Sequence, residues 1–216
     1  MGKMPTIDIH RIYSFFFSHF RKRRMKRFAA TLSPTHQTKI LDVGGTSYNW
    51  RIIHCESQIT LLNLSPPQEE SALPHNFTFL EGDGTKLAFP DGAFDIGYSN
   101  SVIEHLGTLE KQRMFASEIR RVGQCVWVQT PASSFFLETH LLTPFIHYFP
   151  KNLQKKLLRH FTLWGLITKP SQALVDGFLS ELRLLTYDEM RQLFPDCRIY
   201  KEKFLGFTKA YIAIRG

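Results

Sequence analysis

The sequence predicts a single α/β domain built on a mostly parallel sheet with an antiparallel final strand, and three observations carry that prediction. From position 39 onward short apolar runs alternate with helical patterns, the rhythm of parallel strands covered by helices. The last two strand-like runs have no helix between them, which predicts an antiparallel hairpin at one sheet edge. At 216 residues, 43% hydrophobic and 21% charged, the chain can bury one well-formed core and is too short for two of ordinary size.

Taken in order, positions 9–30 predict a basic amphipathic helix. Ile12, Phe15, Phe16, Phe17 and Phe20 stand beside Arg21, Lys22, Arg23, Arg24, Lys26 and Arg27, which supply six of the net charge of +8. A block this local is expected to be either a solvated helix face or a contact for an anionic membrane. We assign residues 1–34 to this appendage and 35–216 to the main domain. Runs at 40–43, 59–64, 77–80, 94–98 and 125–129 predict five consecutive parallel strands. Leu109, Met114, Phe115, Ile119 and Val122 mark an amphipathic helix over 109–122. A helix at 187–194 and strands at 198–203 and 209–214, joined by a connector at 204–208, bring the sheet to seven strands. Positions 132–183 have no place in this rhythm. Their aromatics predict a helical cap over the carboxyl ends of the strands, where open α/β sheets bind ligands, enclosing an apolar or partly apolar ligand.

Cys55, Cys125 and Cys197 are odd in number and far apart, so neither a disulfide framework nor a zinc ribbon is expected and a cytoplasmic setting fits. Ser14, Ser18 and His19 interrupt the apolar stretch near the amino terminus, which therefore does not resemble a cleavable signal, and no run reaches the length of a membrane span. Met1, Gly2 and Thr6 fit a myristoylation pattern only as a short match with a high chance rate.

Three places carry chemistry. At Gly44 and Gly45 a buried strand enters a glycine turn whose backbone can approach a ligand closely, although an ordinary strand-to-helix turn reads the same way. Asp83, between Gly82 and Gly84, ends a strand on an exposed carboxylate suited to an adenine amine. Asn100 and Ser101 open a polar loop after the fourth strand.

Taken together, the 41–45 turn, the Glu81, Gly82, Asp83 corner, the 89–95 lead-in and the Glu104, His105 pair resemble the class I S-adenosylmethionine-dependent methyltransferases, in particular the small-molecule enzymes of type 11. The resemblance is specific over 39–132 and looser over 184–216. It implies a Rossmann-like fold and S-adenosyl-L-methionine as cofactor. By position, it implies that Asp42, Gly44 and Gly45 wrap the methionine part, that Asn63 holds the ribose hydroxyls, that Asp83 with Gly84 meets the adenine, and that Asn100 to His105, Ser101 included, flank the sulfonium. The sequence departs from the pattern at Thr46 and Tyr48, where the family places glycines, and at Asn63, where it places an acid.

Methyl transfer is an in-line displacement that needs orientation and a dry pocket, with no metal required. His105, His140 and His147 are the candidate bases for the acceptor, and each could equally serve a structural role. Positions 138–150 resemble a cap segment found in a subset of the family. The expected acceptor is a small molecule, lipid- or glycan-linked. A nucleic-acid substrate is suggested by overall charge alone: Ser99, Asn100, Ser101 and Val102 stand in place of the Asn/Asp-Pro-Pro-aromatic pattern, and no RNA-binding module is visible. A non-catalytic cofactor-binding regulator is the alternative from another class. An NAD site fails because the G-x-G-x-x-G spacing is absent.

Overall fold

The computed structural model describes residues 9–65 and 74–216, with side chains in the first helix described from Ser18 onward. The Met1, Gly2, Thr6 pattern and the side chains of Ile12, Phe15, Phe16 and Phe17 lie outside the described residues. Helix α1 (Ile9–Leu32) leads into β1 (Lys39–Val43), α2 (Ser47–Ile52), β2 (Gln58–Asn63), β3 (Phe77–Glu81), β4 (Phe94–Asn100), α3 (Leu109–Val122) and β5 (Gly123–Pro131). The cap follows as β6 (Leu137–Glu138), β7 (Thr143–Pro144), α4 (Lys151–Phe161), α5 (Leu163–Thr168) and α6 (Gln172–Glu181). The chain closes with α7 (Tyr187–Leu193), β8 (Arg198–Phe204) and β9 (Phe207–Arg215).

The main sheet has the order β3-β2-β1-β4-β5-β9-β8. Strands β1 to β5 pair in parallel, and β9 inserts antiparallel between β5 and β8. The connector between β8 and β9 is only Leu205 and Gly206, shorter than the 204–208 expected. Between β1 and β4 the winding reverses direction, which opens a crevice at the carboxyl ends of these strands. Both β4 and β5 run two residues beyond the expected 94–98 and 125–129. Their polar ends are paired inside the protein: Ser99 Oγ donates to the Val43 carbonyl at 2.9 Å and Thr130 Oγ1 donates to Glu104 at 2.9 Å. Hydrophobic patterning does not register a strand that continues through satisfied polar residues.

Each face of the sheet has its own core. On one face α3 lays down Phe115, Ala116, Ile119 and Val122, all buried, against Leu41, Val43 and Val126. On the other, α1 presents Met25 and Phe28 to Trp50, Tyr98 and Trp127. The Phe28 ring meets these three edge-on at 5.4 to 5.5 Å between centroids, the favoured geometry for aromatic quadrupoles. The cap has a smaller core of Leu141, Ile146, Leu158, Val175 and Leu179. It is tied to the turn that follows β4 by Arg183, whose backbone N–H donates to the Glu104 carbonyl at 2.7 Å.

Phe28 is the main anchor of α1, so Phe28→Ala is expected to lower stability by about 3–5 kcal/mol. Urea titration followed by circular dichroism should show this as a lower midpoint with an unchanged slope.

Candidate functional site

A cleft of about 400 Å³ opens over the carboxyl ends of the first strands, walled by Gly44, Asn63, Asp83, Gly84, Ser101 and His105 among others. Two of its glycines are held bare by their neighbours. Gly44 has φ +76, and a Cβ there would lie 2.4 Å from Val102 Cγ2; a Cβ on Gly84 would lie 2.6 Å from Val43 Cγ1. Asp83 Oδ1 accepts from the backbone N–H and hydroxyl of Thr85, both at 2.8 Å, which fixes the carboxylate and leaves Oδ2 without a partner among the described residues. Asn63 Nδ2 donates to the Gly45 carbonyl at 3.0 Å, so this amide braces the glycine turn, a bond that an acid at the same position could not donate.

Asp42 and Gly45 lie behind that turn and do not line the cleft. Asp42 is fully buried and accepts from Trp50 Nε1 at 2.8 Å. Burial pushes its carboxyl up to about 7, opposed by the Trp50 bond. A Cβ on Gly45 would fall 1.9 Å from Asp42 Oδ2, so the aspartate shapes the turn from beneath.

A second cavity of about 270 Å³ adjoins the first through Ser101, and Asn100 opens on this side. Ser101 has φ 58, a left-handed conformation costing a non-glycine residue on the order of 1–3 kcal/mol, held by its N–H to the Gln129 carbonyl at 3.0 Å. The cap aromatics are expected from sequence to enclose an apolar or partly apolar acceptor, and the structure shows where those aromatics lie. The described lining of this second cavity includes Arg21, Arg24, Gln129, Thr139, His140 and Lys209, and none of the Phe, Tyr or Trp residues of the cap. Phe135 and Phe136 pack into the sheet core instead, while Phe145, Tyr148, Phe149 and Phe161 are exposed.

The three histidines separate. His147 Nε2 lies 3.1 Å from the Ser133 carbonyl and lines neither cavity, so it latches the cap to the end of β5. His105 and His140 meet edge-on at 4.8 Å between ring centroids, His105 in the first cavity and His140 in the second. Glu138 Oε1 lies 2.7 Å from His140 Nδ1, and Glu138 Oε2 is itself fixed by the Leu141 N–H. On the other side Glu104 Oε1, buried and without a hydrogen-bond partner among the described residues, lies 3.9 Å from His140 Nε2. Burial lowers the affinity of His140 for a proton, but Glu138 and then Glu104 outweigh it and hold the imidazole above its ordinary range. Burial, with His140 adding to it, pushes His105 down to about 4, so His105 is neutral at neutral pH. Burial pushes the Glu104 carboxyl upward, against His140 and the Thr130 hydroxyl.

Glu104, His105 and His140 each offer one metal-type donor, spread over up to 4.8 Å. That is wider than the roughly 3.4 Å between donors of a tetrahedral site with bonds of about 2.1 Å. The group is better suited to holding a proton. Sequence reading placed Glu104 in the loop beside the sulfonium by resemblance, and did not single out Glu138, Arg24 or Lys209 as functional side chains. Glu138 carried a signal in its place two residues before His140; Arg24 was hidden in the basic run.

The chain matches the methyltransferase-domain family over residues 41–124. No curated protein matches it. Magnesium protoporphyrin IX methyltransferase from Synechocystis, with bound S-adenosylhomocysteine, is similar in structure at 12% identity and TM-score 0.59, covering 100% of this chain and 90% of that one. The 1,6-didemethyltoxoflavin-N1-methyltransferase of Burkholderia thailandensis is 13% identical at TM-score 0.56, covering 99% and 91%. A Galdieria sulphuraria structure, provisionally a sarcosine dimethylglycine methyltransferase, is 19% identical at TM-score 0.43 and covers 51% of this chain and 45% of that one. At these identities the structural likeness is one of fold. The family match thus covers the first four strands and α3, and the strand order that carries the glycine cleft is the fold shared with the class I S-adenosylmethionine-dependent methyltransferases.

Proposed function

We propose that Gly44, Asn63, Asp83, Gly84 and Ser101 hold S-adenosyl-L-methionine, and that the methyl acceptor is a small molecule bound in the adjoining cavity under the cap. The observation that carries this reading is the meeting of two cavities at Ser101, one glycine-lined and closed by a fixed aspartate, the other facing His140. The residues fit an adenosyl group: two positions where a Cβ would strike Val102 or Val43 leave bare backbone, and Asp83 keeps one carboxylate oxygen for the purine amine. When bound, the cofactor supplies the methyl group as an electrophilic sulfonium. The neutral His105 imidazole adds no positive charge beside that sulfonium. His140 takes the acceptor proton at Nε2, with Glu138 fixing its ring and Glu104 facing the imidazolium that forms.

Within this reading we take the acceptor to be lipid-linked in preference to glycan-linked or nucleic acid. Phe204, Leu205 and Phe207 are exposed at the hairpin tip, flanked by Lys201 and Lys203. Pro131 pairs with Ala210, which sets the tip at the carboxyl end of β5, beside the second cavity. Lys22, Arg23 and Lys26 are exposed on α1. No described helix is long and apolar enough to cross a membrane, so the contact would be interfacial.

Calorimetry should detect saturable binding of S-adenosylhomocysteine. Asp83→Ala should weaken it roughly ten- to a hundredfold, the loss of a charge-assisted hydrogen bond of about 1.5–3 kcal/mol, and Gly44→Ala should weaken it through Val102. No binding by the wild type, or unchanged affinity in both variants, rejects the site. Once an acceptor is in hand, kcat/KM should rise with pH along a limb lying above the ordinary histidine value of about 6.5. Glu138→Gln removes the nearer anion, lowers the His140 pKa and should shift that limb to lower pH with a reduced plateau; an unmoved limb excludes His140 as the base. The protein should co-sediment with phosphatidylglycerol vesicles and not with phosphatidylcholine, and Leu205→Ser should reduce the bound fraction. Equal recovery with both lipids, or none with either, removes the membrane contact.

A further inference from the structure

The second cavity has a chemistry of its own. Arg21, Arg24 and Lys209 line it, and no carboxylate among the described residues does. Arg24 and Lys209 are 7% and 6% exposed, and they share one acid: Glu202 accepts from Arg24 Nη2 at 3.0 Å and Nε at 3.2 Å, and from Lys209 Nζ at 3.3 Å. Among the described residues these two interior cations share one carboxylate, where water is scarce and Coulomb energies are large. Arg21 adds a third cation. It stacks over Tyr48 at 5.1 Å and makes no ion pair among the described residues.

The neutral groups of the wall point the same way. Arg24 Nη1 donates to Asn100 Oδ1 at 2.6 Å and to Gln129 Oε1 at 2.9 Å, so both amide oxygens are consumed within the protein. Ser101 Oγ also donates to Gln129 Oε1, at 3.1 Å. The amide NH₂ groups of Asn100 and Gln129 remain as donors with no acceptor among the described residues. A structural tie between α1 and β8 is complete with Arg24 and Glu202 alone. It needs neither the second cation on the same carboxylate nor a third at the mouth.

We propose that the methyl acceptor carries an oxyanion, a carboxylate or a phosphate, which seats between Arg21, Arg24 and Lys209 and turns the nucleophile toward Ser101 and His140. This rests on the reading that the adjoining cleft holds the cofactor. The planar Arg21 guanidinium suits the paired oxygens of either anion, while Arg24, its N–H groups largely taken by Glu202, Asn100 and Gln129, and Lys209 act through their charge. Burial pushes the Lys209 amine down to about 8, so it remains protonated at neutral pH.

The test is calorimetry on the full chain saturated with S-adenosylhomocysteine, titrated with benzoate, with phenyl phosphate and with dihexanoyl phosphatidic acid. At least one probe is expected to bind saturably at one site, and the tightest of the three identifies the source of the anion. Arg21→Gln and Lys209→Met should each weaken that probe at least fivefold without changing S-adenosylhomocysteine affinity. Arg159→Gln, on the exposed face of α4, should leave both unchanged. Arg21 is only partly buried and makes no ion pair among the described residues, so its variant stays informative should Lys209→Met fail to fold. Absence of saturable binding for all three probes overturns the proposal, as does equal weakening in Arg159→Gln or no weakening in Arg21→Gln. S-adenosylhomocysteine is titrated first and alone: failure there falls on the cofactor reading, whereas its binding with no anion binding falls on this inference only.

Discussion

A buried guanidinium must find acceptors for its N–H groups or destabilise the fold, and in this protein that constraint falls on Arg24. Its answer joins three parts of the chain far apart in sequence: Asn100 at the end of β4, Gln129 near the end of β5 and Glu202 on β8. One side chain thereby fixes where α1 lies on the sheet and sets the polar floor of the second cavity. Phe28, one turn further along α1, supplies the apolar half of the same docking. Loss of the helix would therefore remove a wall of the site as well as part of the core.

The two histidines show how environment divides similar groups. His105 and His140 touch edge-on, yet one is held neutral and the other is driven toward its charged form. The difference lies in Glu138, which reaches His140 alone at hydrogen-bonding distance. Two groups whose proton affinities are pushed apart can serve opposite needs at one reaction centre, a neutral neighbour for a cation and an acceptor for a proton.

Much of the fold was legible because it rests on periodicity. Alternating apolar runs marked every strand of the main sheet, and the spacing from Leu109 to Val122 gave α3 its bounds. The glycine turn and Asp83 were legible because backbone approach and an exposed carboxylate leave local signatures. What sequence could not carry were facts of pairing at long range. Arg24 reads as one more cation in a solvated run, and only its partner 178 positions away shows that it is inside. Asp42 stands beside the glycines but turns away from the ligand face, because alternation along β1 sends its side chain to the Trp50 side. The aromatics of 132–183 suggested an apolar pocket, yet composition does not tell which way a ring faces.

Ser101 forms part of the wall of both cavities through a single strained peptide segment. With the cofactor and acceptor seated as proposed, any backbone adjustment there would reach both ligands at once and link their occupancies. Thermodynamic reciprocity then requires that whatever factor one ligand applies to the affinity of the other be returned in equal measure. A spent cofactor and a fresh acceptor would negotiate through one residue, giving the order of their arrival and departure a physical basis in the dihedral angles of a serine.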